Sequence, residues 1–297
     1  MSPENHSHDT NEVSHGKRLF IIWAIIAIPM TILMATVIGP NIFPPGNMSN
    51  AGQGQVFDMT VMGTISTPVI LFVWIYILYS LKYFRNKTDE IIDGPPIRGN
   101  AKIQLTWLIT TACLVLFAAG FGTYELISTN GAGGGEGPSP IWSPPGKKLQ
   151  VQVIGQQWRW TYRFPQYGGV ETTSLDLPNH TSIQFNVTSL DVIHSFWVNK
   201  LGVKADANPG INNVAYATTQ HTGSFTVRCA ELCGIWHGAM YNPGKVVTPA
   251  QFQSWIKAKE VKNANITSHL PKYSPSYNPS AQGAGGGYYG PQDPVKP

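Results

Sequence analysis

The sequence predicts a membrane α + β protein, with transmembrane helices first and a β domain after them. Three observations carry this. The first 130 residues contain three long stretches without a charged residue, only 12% of the chain is charged against about 25% in a typical soluble domain, and the later residues change to period-two alternation. At 297 residues there is room for an anchor and one further domain of ordinary size. The net charge of +4 is too small and too dispersed to argue for a nucleic-acid partner.

The charge-free stretches run from Leu19 to Gly39, from Met59 to Leu81 and from Ile103 to Tyr124. Each is long enough to cross roughly 30 Å of hydrocarbon as a helix. Pro29 and Pro68 interrupt two of them, which membrane helices tolerate when neighbours satisfy the freed carbonyls. Loop charges set the orientation. Lys17 and Arg18 precede the first span, and Lys82, Arg85, Lys87, Arg98 and Lys102 lie between the second and third. No Lys or Arg lies between the first and second, and none follows the third until Lys147. The positive-inside rule therefore puts the N-terminal tail, residues 1–18, and the Lys82–Lys102 loop in the cytoplasm. Everything after Tyr124 belongs outside. The first span, 19–39, also has a signal-peptide reading, but it is long for that role and ends in Val-Ile-Gly-Pro-Asn without an A-x-A pattern. A retained helix or signal anchor is expected. The second and third spans form a helical hairpin over 59–127. His6, His8 and His15 sit in a polar start that reads as a disordered tail rather than a metal site.

A Gly/Pro linker over 128–147 contains Gly131-Ala-Gly-Gly-Gly-Glu-Gly-Pro138. Strand patterning follows. Leu149, Val151 and Val153 alternate with glutamines, Trp158, Trp160, Tyr162 and Phe164 continue at period two, and Ile183, Phe185, Val187 and then Phe225, Val227 repeat it. Short strands from about 148 to 248 predict an antiparallel sandwich or barrel. An amphipathic helix from Pro249 to Lys262 closes a domain spanning 148–262, and residues 263–297, rich in Pro, Gly, Ser and Tyr, are expected to be disordered.

The chemistry concentrates in Cys229-Ala-Glu231-Leu-Cys233-Gly-Ile-Trp-His237-Gly-Ala-Met240, with His194 upstream in Asp191-Val-Ile-His194-Ser-Phe-Trp-Val198. Two thiols and a thioether are soft donors, and imidazole suits copper as well. A structural zinc on Cys229, Cys233, His194 and His237 is the plain alternative, and Met240 speaks against it, because zinc rarely recruits a thioether. A Cys229–Cys233 disulfide is a further alternative outside the cell, and it leaves the spacing of His237 and Met240 without a reason. Cys113, inside an apolar run, reads as a packed small residue.

The pattern C-x-E-x-C-x3-H-x2-M with an upstream histidine resembles the binuclear copper (Cu-A) motif of cytochrome c oxidase subunit II. The resemblance extends from the second span to about residue 256. It includes Gly155-Gln-Gln-Trp158-Arg-Trp160-Thr-Tyr162 and Leu201-Gly-Val-Lys204-Ala-Asp206-Ala-Asn-Pro209-Gly210. It implies a helical hairpin feeding an extracytoplasmic cupredoxin-like Greek-key β-barrel, in a multi-pass protein of a prokaryotic cell membrane, with the first span as an addition. It further implies that Cys229 and Cys233 bridge two copper ions, with His194 and Met240 completing one copper and His237 and the Glu231 carbonyl the other. The Glu231 carboxylate would meet a magnesium ion shared with the haem-bearing subunit I, and Trp158 would be the point of electron entry. Trp158 also reads as one more core aromatic of its strand. The expected partners are subunit I and the other oxidase subunits, the lipid bilayer, and cytochrome c or another donor, free or tethered in a supercomplex. The expected role is electron transport in a respiratory chain, an oxidoreductase and translocase function with oxygen chemistry in subunit I. The alternatives are the copper subunit of a nitric oxide reductase and a membrane-anchored copper-delivery protein.

Three departures from the family pattern stand out. Gln104 precedes Trp107 where the family commonly has a glutamate linked to proton uptake, Arg163 stands where acidic residues are usual, and Gln156 replaces a frequent histidine. Residues 141–297 hold 13 Lys and Arg against 7 Asp and Glu, a net +6, which points away from a basic donor.

Overall fold

The computed structural model describes residues 14–85, 99–128 and 143–269. The described residues divide into two compact units, one of residues 14–43, 57–85 and 99–100, the other of 44–56, 101–128 and 143–269. Three of its helices are long and apolar enough to cross a membrane.

In the first unit, α1 (His15–Leu33) starts four residues before the predicted span because the Ser14 hydroxyl caps it, accepting from the Lys17 amide. The helix widens into a π-turn at Met34–Ile38 and resumes as α2 (Gly39–Ile42). Pro40, which has no N–H to donate, sits where the turn must be recovered. α3 (Asn50–Tyr83) begins nine residues earlier than the predicted Met59. Small residues let the helices approach: a Cβ on Gly39 would lie 2.5 Å from the Thr60 methyl, and one on Gly63 would lie 3.0 Å from the Phe43 ring. The Trp23 indole N–H donates to the Pro68 carbonyl at 2.8 Å, so the first span is tied to α3 by a specific bond.

The second unit contains α4 (Ala101–Ser128), ten strands and α5 (Pro249–His269). The strands are β1 (Leu149–Gln156), β2 (Arg159–Phe164), β3 (Val170–Thr172), β4 (Leu175–Pro178), β5 (Ser182–Ser189), β6 (His194–Val198), β7 (Val203–Ala207), β8 (Asn213–Thr218), β9 (Gly223–Cys229) and β10 (Tyr241–Val247). They form two five-stranded sheets, β3-β2-β1-β5-β8 and β4-β10-β9-β6-β7. The expectation of a purely antiparallel arrangement is corrected, because β1 runs parallel to β5 and β4 parallel to β10. The chain switches sheets five times, at β3–β4, β4–β5, β5–β6, β7–β8 and β8–β9, so these neighbours are joined across the sandwich rather than by hairpins.

The core lies between the sheets, where Trp160, Tyr162, Phe164, Phe185 and Phe196 are fully buried. Each of the three phenylalanines contributes roughly 1.5–3 kcal/mol of transfer free energy. Phe252 and Trp255 of α5 close one edge, with Trp255 edge-on to Phe164 at 5.6 Å. α5 runs seven residues past the predicted end at Lys262, so the start of the segment expected to be disordered is helical. There the Asn263 side chain donates to the Glu171 carbonyl at 2.7 Å. The rest of that tail, residues 270–297, lies outside the described residues, as do the glycine-rich linker and the N-terminal His6 and His8.

Residues 44–56 are more than a connecting loop. The Ser49 hydroxyl donates to the Leu201 carbonyl at 2.6 Å, Asn50 accepts from the Thr218 amide at 2.8 Å, and Gln55 donates to the Gly202 carbonyl at 2.8 Å. Gly202, at φ +63°, lets this segment approach: a Cβ there would lie 2.8 Å from the Gly52 nitrogen.

Candidate metal centre

The site grows from the ends of three strands. His194 is the first residue of β6, Cys229 the last of β9, and Met240 immediately precedes β10. β6 and β9 are antiparallel partners, with Phe196 opposite Cys229, which brings the histidine beside the cysteine. The loop from Cys229 to Met240 is closed by the Cys229 amide on the Met240 carbonyl at 3.1 Å, and the Ala230 amide binds the Ser195 carbonyl at 2.9 Å.

Cys229 Sγ lies 3.8 Å from His194 Nδ1, 3.7 Å from Cys233 Sγ and 3.2 Å from the Glu231 carbonyl oxygen. Cys233 Sγ lies 3.6 Å from His237 Nδ1 and 3.8 Å from Met240 Sδ. Donor separations of this size are the edge lengths that bonds of about 2.0–2.3 Å to an enclosed ion produce. The two cysteines are free thiols, since a disulfide needs about 2.05 Å between sulfurs. His194 is fully buried and Met240 and Cys233 nearly so, which keeps water from these donors, while His237 is half-buried and Glu231 is exposed. Six donors of these kinds exceed what one tetrahedral zinc takes, and the soft set fits a copper site.

Burial raises both thiols. At Cys229 the hydrogen bond with His194, followed by backbone bonds from Ser195 and Glu231, outweighs that effect and draws the group below the ordinary thiol range. Cys233 lies above it, because the neighbouring Cys229 charge adds to burial. A metal takes such thiols as thiolates.

Sequence reasoning quoted Asp191 without giving it a task. Its Oδ1 sits 2.9 Å from His194 Nε2, and it also accepts from the amides of Gln157 and Val192, each at 2.7 Å. Burial raises the Asp191 carboxyl, and the bonds from Gln157, His194 and Val192 together bring it below its usual value. This bond fixes the imidazole with Nδ1 toward Cys229, as outer partners of ligating histidines commonly do. An acid three residues before a candidate histidine was the signal available.

Trp158 lies in the turn between β1 and β2, not in the strand expected to contain it, and its side chain is half-buried. Its indole N–H donates to the Cys233 carbonyl at 3.2 Å. Arg163, one of the departures from the family pattern, points inward, 1% exposed, with Nε 3.9 Å from the Glu171 carboxylate, and adds no charge to the surface around Trp158. Gln104 lies exposed near the start of α4. Asp206, in β7, pairs with Ser195.

Long apolar helices followed by a two-sheet β domain, whose edge gathers soft donors, define a protein with apolar helices and a candidate metal centre. The family described as cytochrome c oxidase subunit II, periplasmic domain, matches residues 172–247. The probable cytochrome c oxidase subunit 2 of Rickettsia bellii (strain RML369-C) is 34% identical over 222 residues, 68% of this chain and 77% of the relative. Cytochrome c oxidase subunit 2 of Synechocystis sp. is 28% identical over 255 residues, 74% of this chain and 76% of the relative. The crystal structure of the periplasmic domain of subunit II of cytochrome oxidase from Bradyrhizobium japonicum is 32% identical, covering 40% of this chain and 97% of that one, with a TM-score of 0.38. The chain belongs to the cytochrome c oxidase subunit II family, and is thus a subunit of a cytochrome c oxidase.

Proposed function

We propose that this chain accepts electrons from an external donor and passes them to the haem of subunit I, where oxygen is reduced to water with proton translocation. The observation that carries this reading is the convergence of Cys229, Cys233, His194, His237, Met240 and the Glu231 carbonyl on one loop edge. Cys229 and Cys233 would bridge two copper ions, His194 and Met240 would complete one, and His237 and the Glu231 carbonyl the other. Such a pair would supply a one-electron carrier. The exposed Glu231 carboxylate would meet a magnesium ion at the junction with subunit I, a hard oxygen ligand suited to that ion.

The chain's own residues prepare the site. Asp191 holds the His194 ring in one orientation, and burial of His194, Cys233 and Met240 excludes water from the donors. Trp158 places an aromatic ring one hydrogen bond from the Cys233 backbone, a short route inward for an electron. The two-sheet domain is read as an extracytoplasmic cupredoxin-like Greek-key barrel in a prokaryotic cell membrane, with the N-terminus cytoplasmic. The donor is a protein with an acidic or neutral docking face, or one tethered beside the oxidase. The full-length chain, copper-loaded and singly oxidised, should give an electron paramagnetic resonance spectrum with the unpaired electron shared by two copper nuclei. A single isolated copper, or stoichiometric zinc without copper, refutes the assignment.

A further inference from the structure

Gln157 is the residue before Trp158 in the β1–β2 turn, and its side chain is exposed. It nevertheless touches both halves of the metal centre. Its backbone N–H donates to Asp191 Oδ2 at 2.7 Å, and Asp191 in turn holds His194. Its side-chain Nε2 donates to the Cys233 carbonyl at 2.8 Å, beside the Trp158 indole N–H on the same oxygen. The turn and the cysteine loop are also in close contact. A Cβ on Gly234, whose φ is +115°, would lie 3.1 Å from Gln157 Nε2 and 3.3 Å from the Trp158 ring.

We infer that Gln157 is a positioning residue of the copper centre, a clasp that joins the cysteine loop to the histidine strand through the turn that carries Trp158. The inference rests on the copper reading of the site. A carbonyl oxygen has two lone pairs, and here both receive protein donors, so the carbonyl that follows the Cys233 side chain is fixed in direction. Fixing it sets where Cys233 Sγ points, and Cys233 is the residue that meets Cys229, His237 and Met240. The Asp191 arm uses only the backbone of Gln157, so a side-chain substitution cuts the cysteine arm and leaves the histidine arm in place.

The test uses the purified, copper-containing oxidase. Gln157→Ala should lose copper to a chelator about tenfold faster than the wild type, the lower range for loss of an outer partner of a metal ligand, and should alter the copper hyperfine pattern. Gln156→Ala, at the end of β1 next to the turn, should match the wild type in both. Trp158→Phe removes the other donor to the same carbonyl. The double variant with Gln157→Ala should therefore lose copper faster than the product of the single effects, because contacting groups that share a partner are not additive. Wild-type copper kinetics and spectrum in Gln157→Ala, equal impairment in Gln156→Ala, or strictly multiplicative single effects overturns the inference. A wild-type enzyme holding no copper overturns the proposed function itself, and is read before any variant.

Discussion

Gly155 is the position where a single methyl group should injure the metal centre most selectively. It lies in β1, and the space beside its Cα is taken by two rings. A Cβ there would sit 3.0 Å from His194 Cδ2, 3.0 Å from Trp160 Cζ3 and 3.3 Å from His194 Cγ, so a neighbour must yield by a few tenths of an ångström. Trp160 is fully buried and edge-on to Phe196 at 5.7 Å, which leaves it no room to move. His194 is fully buried too, and is held by Asp191 at 2.9 Å on one side with Cys229 Sγ 3.8 Å away on the other. The strain therefore falls on the histidine. Overpacking of this kind costs about 1–3 kcal/mol, and each 1.4 kcal/mol expressed at the ligand is about tenfold in affinity. Without the clash, Gly→Ala would stabilise by about 0.4–1 kcal/mol through the unfolded chain, so the sign alone is informative. Gly155→Ala is expected to weaken copper binding about fivefold or more in a chelator competition and to lower the thermal midpoint. Gly238→Ala is the matched control, since a Cβ there meets nothing within 4 Å although it follows His237 directly. Wild-type copper affinity with an equal or higher midpoint in Gly155→Ala refutes the reasoning.

Trp158→Ala should leave two coppers bound yet slow reduction by the donor, with Trp158→Phe intermediate, because the ring lies outside the ligand set; a wild-type rate in a fully metallated variant makes Trp158 a packing residue. In a Cys113→Ala background, a cysteine at exposed Gln53 should react with an impermeant reagent added outside, and one at Arg85 should not; the reverse pattern inverts the proposed orientation. Ser49 would be a poor probe site, since it is buried against Leu201. Reduction by a basic donor should gain little at low ionic strength, because residues 141–297 carry a net +6; a large low-salt advantage that fades with added salt counters this.

Composition and order along the chain were enough to determine the helices, the strand-bearing half and the ligand types. The spans are legible because hydrocarbon excludes charge, so a run such as Ile103–Tyr124 needs no other information. The donors are legible because Cys229, Cys233, His237 and Met240 lie close in sequence and their softness is a property of the side chains themselves. What depended on distant partners was not legible. Parallel pairing of β1 with β5 follows from sheet switching, which no local periodicity encodes. Arg163 reads as a surface charge until Glu171 of the neighbouring strand is placed opposite it. Ser49 reads as a loop residue until Leu201, 152 positions away, accepts its hydroxyl. The tie between Asp191, Gln157 and Cys233 likewise exists only when the β1–β2 turn reaches both the histidine strand and the cysteine loop. Side-chain chemistry can be read one residue at a time, whereas hydrogen-bond partners across the sandwich are decided by the packing that brings them within reach.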